Sequence, residues 1–322
     1  MPVLPVSPIF LPLLLLLAFA GGCSEGPPPV DESDASDLSG EEEPMAGSSQ
    51  VLYERHFAFI ADDPDSLAIL PWLFERWVGP ESTRQRARSW VLLDSNWDTL
   101  LEDERELGTT RAPWRILPGG PIGLTVGPDD ALESLFIRNG GGGVELAFLE
   151  TVTEWSGTAG EVFRVGRGRA SLATGSGEGF VLELNRARRN VERPRGDWKF
   201  LRSEDGTLKV FLDGVHEADD DVYPARAWTR MDGVDTHWPD VEVRATDLRP
   251  FERARRDVPA GWSFATPAEE LVGELEAESV HLMALEGEGP ILPVEGLFQV
   301  HGHVRKNGDE IPVFGFIMHA RR

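Results

Sequence analysis

A chain of 322 residues with 55 Asp and Glu against 31 Lys and Arg carries a formal net charge of −24. That balance argues against nucleic acid as a partner, because binding to phosphate backbones needs clustered cations. It equally argues against adhesion to anionic lipid by charge, and a single cysteine leaves no intramolecular disulfide.

Near the N-terminus an apolar run from Phe10 to Ala20 is too short for a membrane-spanning helix, which takes about 20 residues, and reads as the hydrophobic region of a signal peptide, residues 1–22. Ala20-Gly21-Gly22-Cys23 follows, small residues ending in the one cysteine. It resembles the lipobox of bacterial lipoproteins. The resemblance implies cleavage before Cys23, lipidation of Cys23, attachment to the cell envelope and, with Ser24 next, sorting to the outer membrane. An ordinary secretory signal cut after Ala18-Phe19-Ala20 is the alternative. Residues 23–50 contain Pro27, Pro28, Pro29 and a series of carboxylates with no basic residue, and should form an extended, disordered acidic tether.

The body, residues 51–322, is long enough for one large β domain or two packed ones. Alternating apolar and polar residues predict strands at Val144 to Glu150, Phe180 to Leu184, Trp198 to Leu201, Leu208 to Leu212 and Val241 to Thr246. Glu204-Asp205-Gly206 and the glycine run Gly140 to Gly143 supply turns. Trp97, Leu100 and Leu101, with Ser95 as N-cap, predict a short helix. Ser66 to Trp77 and Leu271 to Leu285 are ambiguous. Asn307-Gly308 predicts a type I′ hairpin with Lys306 opposite Asp309. That register puts Val300, Gly302, Val304, Ile311, Val313 and Gly315 on one apolar face. The expected fold is mostly β, an antiparallel barrel or sandwich, with few short helices.

The closing run from Gly296 to His319, with V-H-G-H-V, an Asn-Gly turn and P-V-F-G, resembles the C-terminal hairpin of the lipocalin-like family related to carotenoid hydratases. The resemblance implies two lipocalin-like barrel domains. That family's tryptophan-and-histidine segment is absent here, His237-Trp238 being the nearest pair, so no catalytic residue carries over.

His301 and His303 lie on one face of a strand, about 6.5–7 Å apart, and form a weak metal candidate. His319 falls on the opposite face and cannot complete it. Gly261-Trp262-Ser263-Phe264-Ala265 approaches a nucleophile elbow but lacks the buried strand such a turn requires. Glu217, Asp219, Asp220 and Asp221, with Asp213 nearby, match no calcium loop and read as a solvated loop. Arg164, Arg167 and Arg169 read as strand arginines rather than a phosphate cradle. Ten tryptophans against two tyrosines suit a β core, with some lining a cavity.

Two functions follow. The first is a non-enzymatic envelope lipoprotein that binds an apolar small molecule or a protein partner. The alternative is an envelope enzyme, a lipocalin-like hydratase or isomerase ahead of a hydrolase. No cofactor is expected. Binding predicts an apolar pocket without convergent acids and bases; catalysis predicts at least two buried titratable groups facing one cavity.

Overall fold

The computed structural model describes residues 50–63, 69–79, 82–108, 115–127, 131–139, 142–173, 175–189, 196–214, 220–287 and 289–321. Cys23 and the tether lie outside the described residues. So do Trp114, Glu217 and Asp219.

Strand alternation runs through nearly all of this body. The first sheet contains β1 (Val51–Ala61), β2 (Ile69–Val78), β3 (Thr83–Leu93), β4 (Asn96–Leu107), β5 (Ile122–Val126), β6 (Leu132–Asn139), β7 (Gly142–Ser156), β8 (Val162–Leu172) and β9 (Gly175–Arg189). These nine strands are ordered β4-β3-β2-β1-β9-β8-β7-β6-β5. The second sheet contains β10 (Gly196–Ser203), β11 (Leu208–Gly214), β12 (Val222–Met231), β13 (Val234–Phe251), β14 (Arg256–Ala265), β15 (Leu271–Ala284), β16 (Val294–Lys306) and β17 (Asp309–Arg321). It is a meander closed into a barrel by pairing β10 with β17.

The expectation of two barrels is thus met by one closed barrel and one open sheet. The open sheet curls. Phe57, Trp72, Leu101, Ile122, Leu135 and Val181, drawn from both of its edges, share a single apolar cluster on one face. Its other face packs against the barrel through Ala58, Leu73, Trp90, Phe163, Leu182 and Leu184, which meet Trp198, Phe200, Phe211, Trp228, Phe316 and Met318. A third cluster, including Leu201, Val210, Trp262, Phe298, Val300 and Val313, fills the barrel interior.

The last hairpin has the register expected of it. Lys306 pairs with Asp309, Val304 with Ile311, Gly302 with Val313 and Val300 with Gly315. Asn307 and Gly308 take φ of 54° and 94°, as a type I′ turn requires. Val300, Val304 and Val313 form part of the barrel core. Gly302 is needed for close approach, since a Cβ there would collide with the carbonyl oxygen of Glu274 on the neighbouring strand.

The expected helix near Trp97 is not formed, and no helix occurs among the described residues. Asp94 and Ser95, at φ 48° and 63°, make a tight turn from β3 into β4. Leu101 pairs with Ser89 but Thr99 pairs with Trp90, so Leu100 is the extra residue of a bulge. The bulge sends Trp97 and Leu101 to opposite faces of the sheet, toward the barrel and toward the curled core respectively. The two ambiguous segments are strands. Pro71 sits inside β2 opposite Ala58, and β15 carries a bulge between Ala277 and Ser279.

Candidate functional site

The layer between the sheets is apolar at one end and charged at the other. Strand alternation puts Glu54 and His56 of β1, Glu75 of β2, Arg86 and Arg88 of β3, and Arg186 and Arg188 of β9 on the face that also carries Ala58, Leu73, Trp90 and Leu184. Two ionic networks form there. Arg186 reaches Glu54 at 2.8 Å and Asp213 of the barrel at 2.6 Å. Arg188 adds a second cation on Glu54 at 3.0 Å, and Arg226 joins Asp213 at 2.9 Å to Glu161 at 3.0 Å. In the other network, Glu75 takes Arg86 at 2.6 Å and Arg88 at 3.3 Å, while Arg88 also pairs with Glu295 of the barrel. Burial alone raises the Glu54 carboxyl, but Arg186 and Arg188 override it and bring it to about 2.

His56 lies within reach of the charges of both networks. Burial, only partly opposed by Glu54 and reinforced by Arg186 and Arg88, lowers its pKa to about 3. It is therefore a neutral imidazole, and neither ring nitrogen has a hydrogen-bond partner among the described residues. Its ring centroid lies 6.1 Å from that of Trp198. Trp198 is 5.2 Å from Phe316, and Trp97 is 6.1 Å from Phe316 on the same measure. The indole Nε1 atoms of Trp97 and Trp198 are likewise buried and without a partner among the described residues. Gln299, directly opposite Phe316 in the β16–β17 ladder, leaves its Oε1 unpartnered too.

Three side chains beside Phe316, and His56 beside one of them, thus present donors and acceptors that nothing among the described residues satisfies. Each such buried group costs about 1–3 kcal/mol, so a cluster of them in a native fold calls for an explanation beyond packing. Trp155, in the same layer, shows the ordinary arrangement, with its indole N–H donating to Asp235 at 3.0 Å.

A second buried polar set occupies the barrel interior. Asp197 and Lys199 alternate with Trp198 on β10, so they point inward while Trp198 points to the other sheet. Asp197 accepts from the Tyr223 hydroxyl at 2.5 Å and from Lys199 at 3.2 Å, and lies 2.6 Å from His319 Nδ1. Lys199 also donates to the Tyr223 oxygen at 3.0 Å. Burial lowers the Lys199 ammonium pKa, and burial and Asp197 together push the Tyr223 phenol up.

The residues singled out from sequence are scattered. His301 and His303 are exposed on the outer face of β16, opposite Phe314 and Pro312. No group of three His, Cys, Asp or Glu able to hold a metal occurs among the described residues. His319 faces the barrel interior instead. Ser263 lies mid-strand in β14, between Arg244 and Glu274, and not at an elbow. Asp213 is a buried ion-pair partner rather than part of an acidic loop. Asp221 is exposed and pairs with Arg321 at 3.4 Å. Arg164, Arg167 and Arg169 pair with Glu154, Asp62 and Glu178. Arg164 and Arg167 also line a groove of about 260 Å³ with Leu132, Phe148 and Val181. His237 stacks on Trp228 at 4.8 Å, and Trp238 packs in the barrel core.

Reading the sequence missed His56, Gln299 and the Asp197, Lys199 and Tyr223 set. One signal was available: a lysine enclosed by Trp198 and Phe200-Leu201 in a strand apolar on both faces must be buried and paired.

No family model and no curated protein matches the chain. Among solved structures, kievitone hydratase from Nectria haematococca superposes with a TM-score of 0.53 at 13% identity, over 87% of this chain and 91% of that one. The two share a fold. The fold is lipocalin-like, a closed barrel packed on a curled sheet. CghA, solved with Sch210972 and without it, matches at TM-scores of 0.47 and 0.46, with 11% and 12% identity over 84% of this chain and 88% of that one.

Proposed function

We propose that the protein is an envelope-anchored enzyme of the hydratase or isomerase class, acting on an apolar small molecule that carries a carbonyl oxygen. The observation that carries this reading is the set of buried, unpartnered polar atoms on Trp97 and Trp198 beside Phe316, on Gln299 opposite Phe316 in the ladder, and on His56 beside Trp198. Indole N–H groups and a neutral imidazole are donors suited to polarising a carbonyl, and they do so best where water is excluded. For a carbonyl conjugated to an alkene, that polarisation draws electrons from the double bond. Water then adds its hydroxyl to the β carbon and a proton goes to the α carbon, so no other reactant is consumed. Gln299 Oε1 is an acceptor able to hold the water. The fold shared with kievitone hydratase is compatible with this chemistry and does not by itself assign it.

The test is incubation with aryl enones and polyene aldehydes in ¹⁸O-labelled water, followed by mass spectrometry. Incorporation of one labelled water is expected. Trp198→Phe and His56→Leu should lower the rate roughly tenfold or more, the loss of one donor to developing charge, with the urea midpoint kept. No product from any compound, or unchanged rates in both variants, would overturn the reading.

A second reading, ligand binding without turnover, is favoured by the titration of the layer: His56 at about 3 and Glu54 at about 2 leave neither group able to exchange a proton near neutrality. It predicts saturable quenching of tryptophan fluorescence with no product. Envelope attachment is supported by the lipobox resemblance at Cys23 and by the acidic tether, and mass spectrometry of the mature N-terminus tests it. A diacylglyceryl-modified Cys23 is expected, and an unmodified start at Gly21 would end the idea.

A further inference from the structure

Strands β6 and β7 run together at one end and part at the other. Their ladder extends from Asn139 and Gly142 to Ser134 and Ala147, and from Phe148 to Ser156 β7 keeps a ladder partner only in β8. Bulges mark the parting on both strands. Glu133 is the extra residue of β6, since Ser134 pairs with Thr125 and Leu132 with Val126. Leu149 and Val152 are the extra residues of β7, set against an unbroken run of β8. Gly166 of β8 makes room for the distorted strand, because a Cβ there would lie 2.6 Å from the Glu150 carbonyl oxygen. Bulges grouped in this way re-aim side chains and end pairing, and they concentrate beside functional sites.

The gap is a groove of about 260 Å³ with Leu132, Phe148, Leu149 and Val181 as its apolar lining. Leu149 is 49% exposed, a large apolar side chain left to water. Phe148 meets Phe57 at 5.4 Å between ring centroids, which ties that wall to the core of the curled sheet. Sites for drug-sized ligands span about 300–1,000 Å³, so this groove suits a smaller molecule, one ring with a short chain.

Five charged side chains also line the groove. Three of them are matched within the protein. Arg164 pairs with Glu154 at 2.8 Å and with Glu183 at 3.0 Å, Glu183 also takes Arg55 at 2.7 Å, and Arg167 takes Asp62 at 2.7 Å. Glu133 and Glu150 are exposed and have neither a hydrogen bond nor an ion pair among the described residues. An apolar wall thus stands beside two unmatched negative charges.

We propose that the β6–β7 groove binds a small amphipathic cation, with its apolar body against Leu132, Phe148, Leu149 and Val181 and its ammonium group at Glu133 and Glu150. None of the lining residues belongs to the layer of His56, Trp97, Trp198 and Gln299, so the site holds or fails independently of the enzymatic reading.

The experiment is a titration of the full chain with 2-phenylethylammonium, followed by the leucine and valine methyl signals in NMR. Saturable one-to-one shifts centred on Leu132, Leu149 and Val181 are expected. E133Q combined with E150Q should weaken binding about two- to tenfold, the scale of two exposed ion pairs, and should leave the affinity for the neutral isostere 2-phenylethanol unchanged. L149S, a change at an exposed position, should weaken both probes, as read from Leu132 and Val181. L248S, at an exposed leucine of β13, and W198F should change neither. The proposal is overturned by the absence of saturable shifts with 2-phenylethylammonium, by shifts centred elsewhere, by equal affinity for the anion 3-phenylpropanoate, or by unchanged affinity in L149S or in the double glutamine variant.

Discussion

The two faces of β10 make different use of the same burial. Toward the barrel interior, Asp197 and Lys199 meet Tyr223 and His319, and each of the four bonds to another of the set. Toward the other sheet, Trp198 meets His56, Phe316 and, beyond it, Trp97, and the polar atoms of His56 and the two indoles bond to nothing described. A closed network of this kind fixes register and strand identity at a net stability close to zero. An open one lowers stability in the free protein and is retained where something else completes it. The difference sets a closed polar network on one side of the strand and an open one, the proposed site, on the other.

Replacing Asp197 by Leu should have the largest effect. It leaves the Lys199 ammonium buried without its anion, and about 3–5 kcal/mol of stability should be lost in urea unfolding. A loss under about 1 kcal/mol would remove the distinction between the faces. Acidification comes next. The His56 pKa falls from an ordinary 6.5 to about 3 in the fold, so between those values the unfolded chain takes up a proton that the folded one refuses. Its contribution is complete above 6.5 and is lost as pH drops toward 3, at about 1.4 kcal/mol per pH unit. Glu54, lowered from 4.5 to about 2, adds a loss of the same sign below 4.5. His56→Leu should abolish the upper part of the acid slope and keep the lower part, as read from urea midpoints at pH 7, 5.5 and 4.

Trp198→Phe and Gln299→Leu test the open side. Removing an unpartnered donor or acceptor should leave the unfolding free energy unchanged or raise it by up to about 1 kcal/mol, while ligand-dependent quenching is lost. A destabilisation of about 2 kcal/mol or more would show that these groups are satisfied in solution. The smallest effect is expected from His301→Ala with His303→Ala on the outer face, within about 0.5 kcal/mol and with no change in a zinc titration.

Where structure depends on neighbours in sequence, it was legible. The Asn307-Gly308 turn fixes a register that the whole β16–β17 ladder obeys, because two positive-φ residues admit only one tight hairpin. The β3–β4 turn was misread because Asp and Ser serve both as helix caps and as turn residues. The apolar spacing from Trp97 to Leu101 copies a helical period only because the bulge at Leu100 splits those residues between faces. The candidate site was largely illegible. Its strand, Trp198 to Leu201, was read correctly, but its partners come from distant chain. Glu54 and Arg186 are 132 residues apart, and Asp197 and His319 are 122 apart. No local pattern announces which strands pair across such intervals. Burial of His56 depends on β1 lying beside β9, a contact set only when the sheet closes over its middle.

The barrel closure carries a consequence for synthesis. β10 finds its second partner only in β17, Gly196 pairing with Ala320 and Ser203 with Val313. Until that last strand leaves the ribosome, β10 presents an unpaired edge bearing Trp198 and Phe200, a template for pairing with another chain. Contacts this distant in sequence also form slowly, on the scale of about milliseconds to seconds. A nascent chain therefore passes through an interval in which Trp198 and Phe200 are exposed on an unpaired strand edge, and truncation within β17 should convert that interval into a permanent aggregation-prone state.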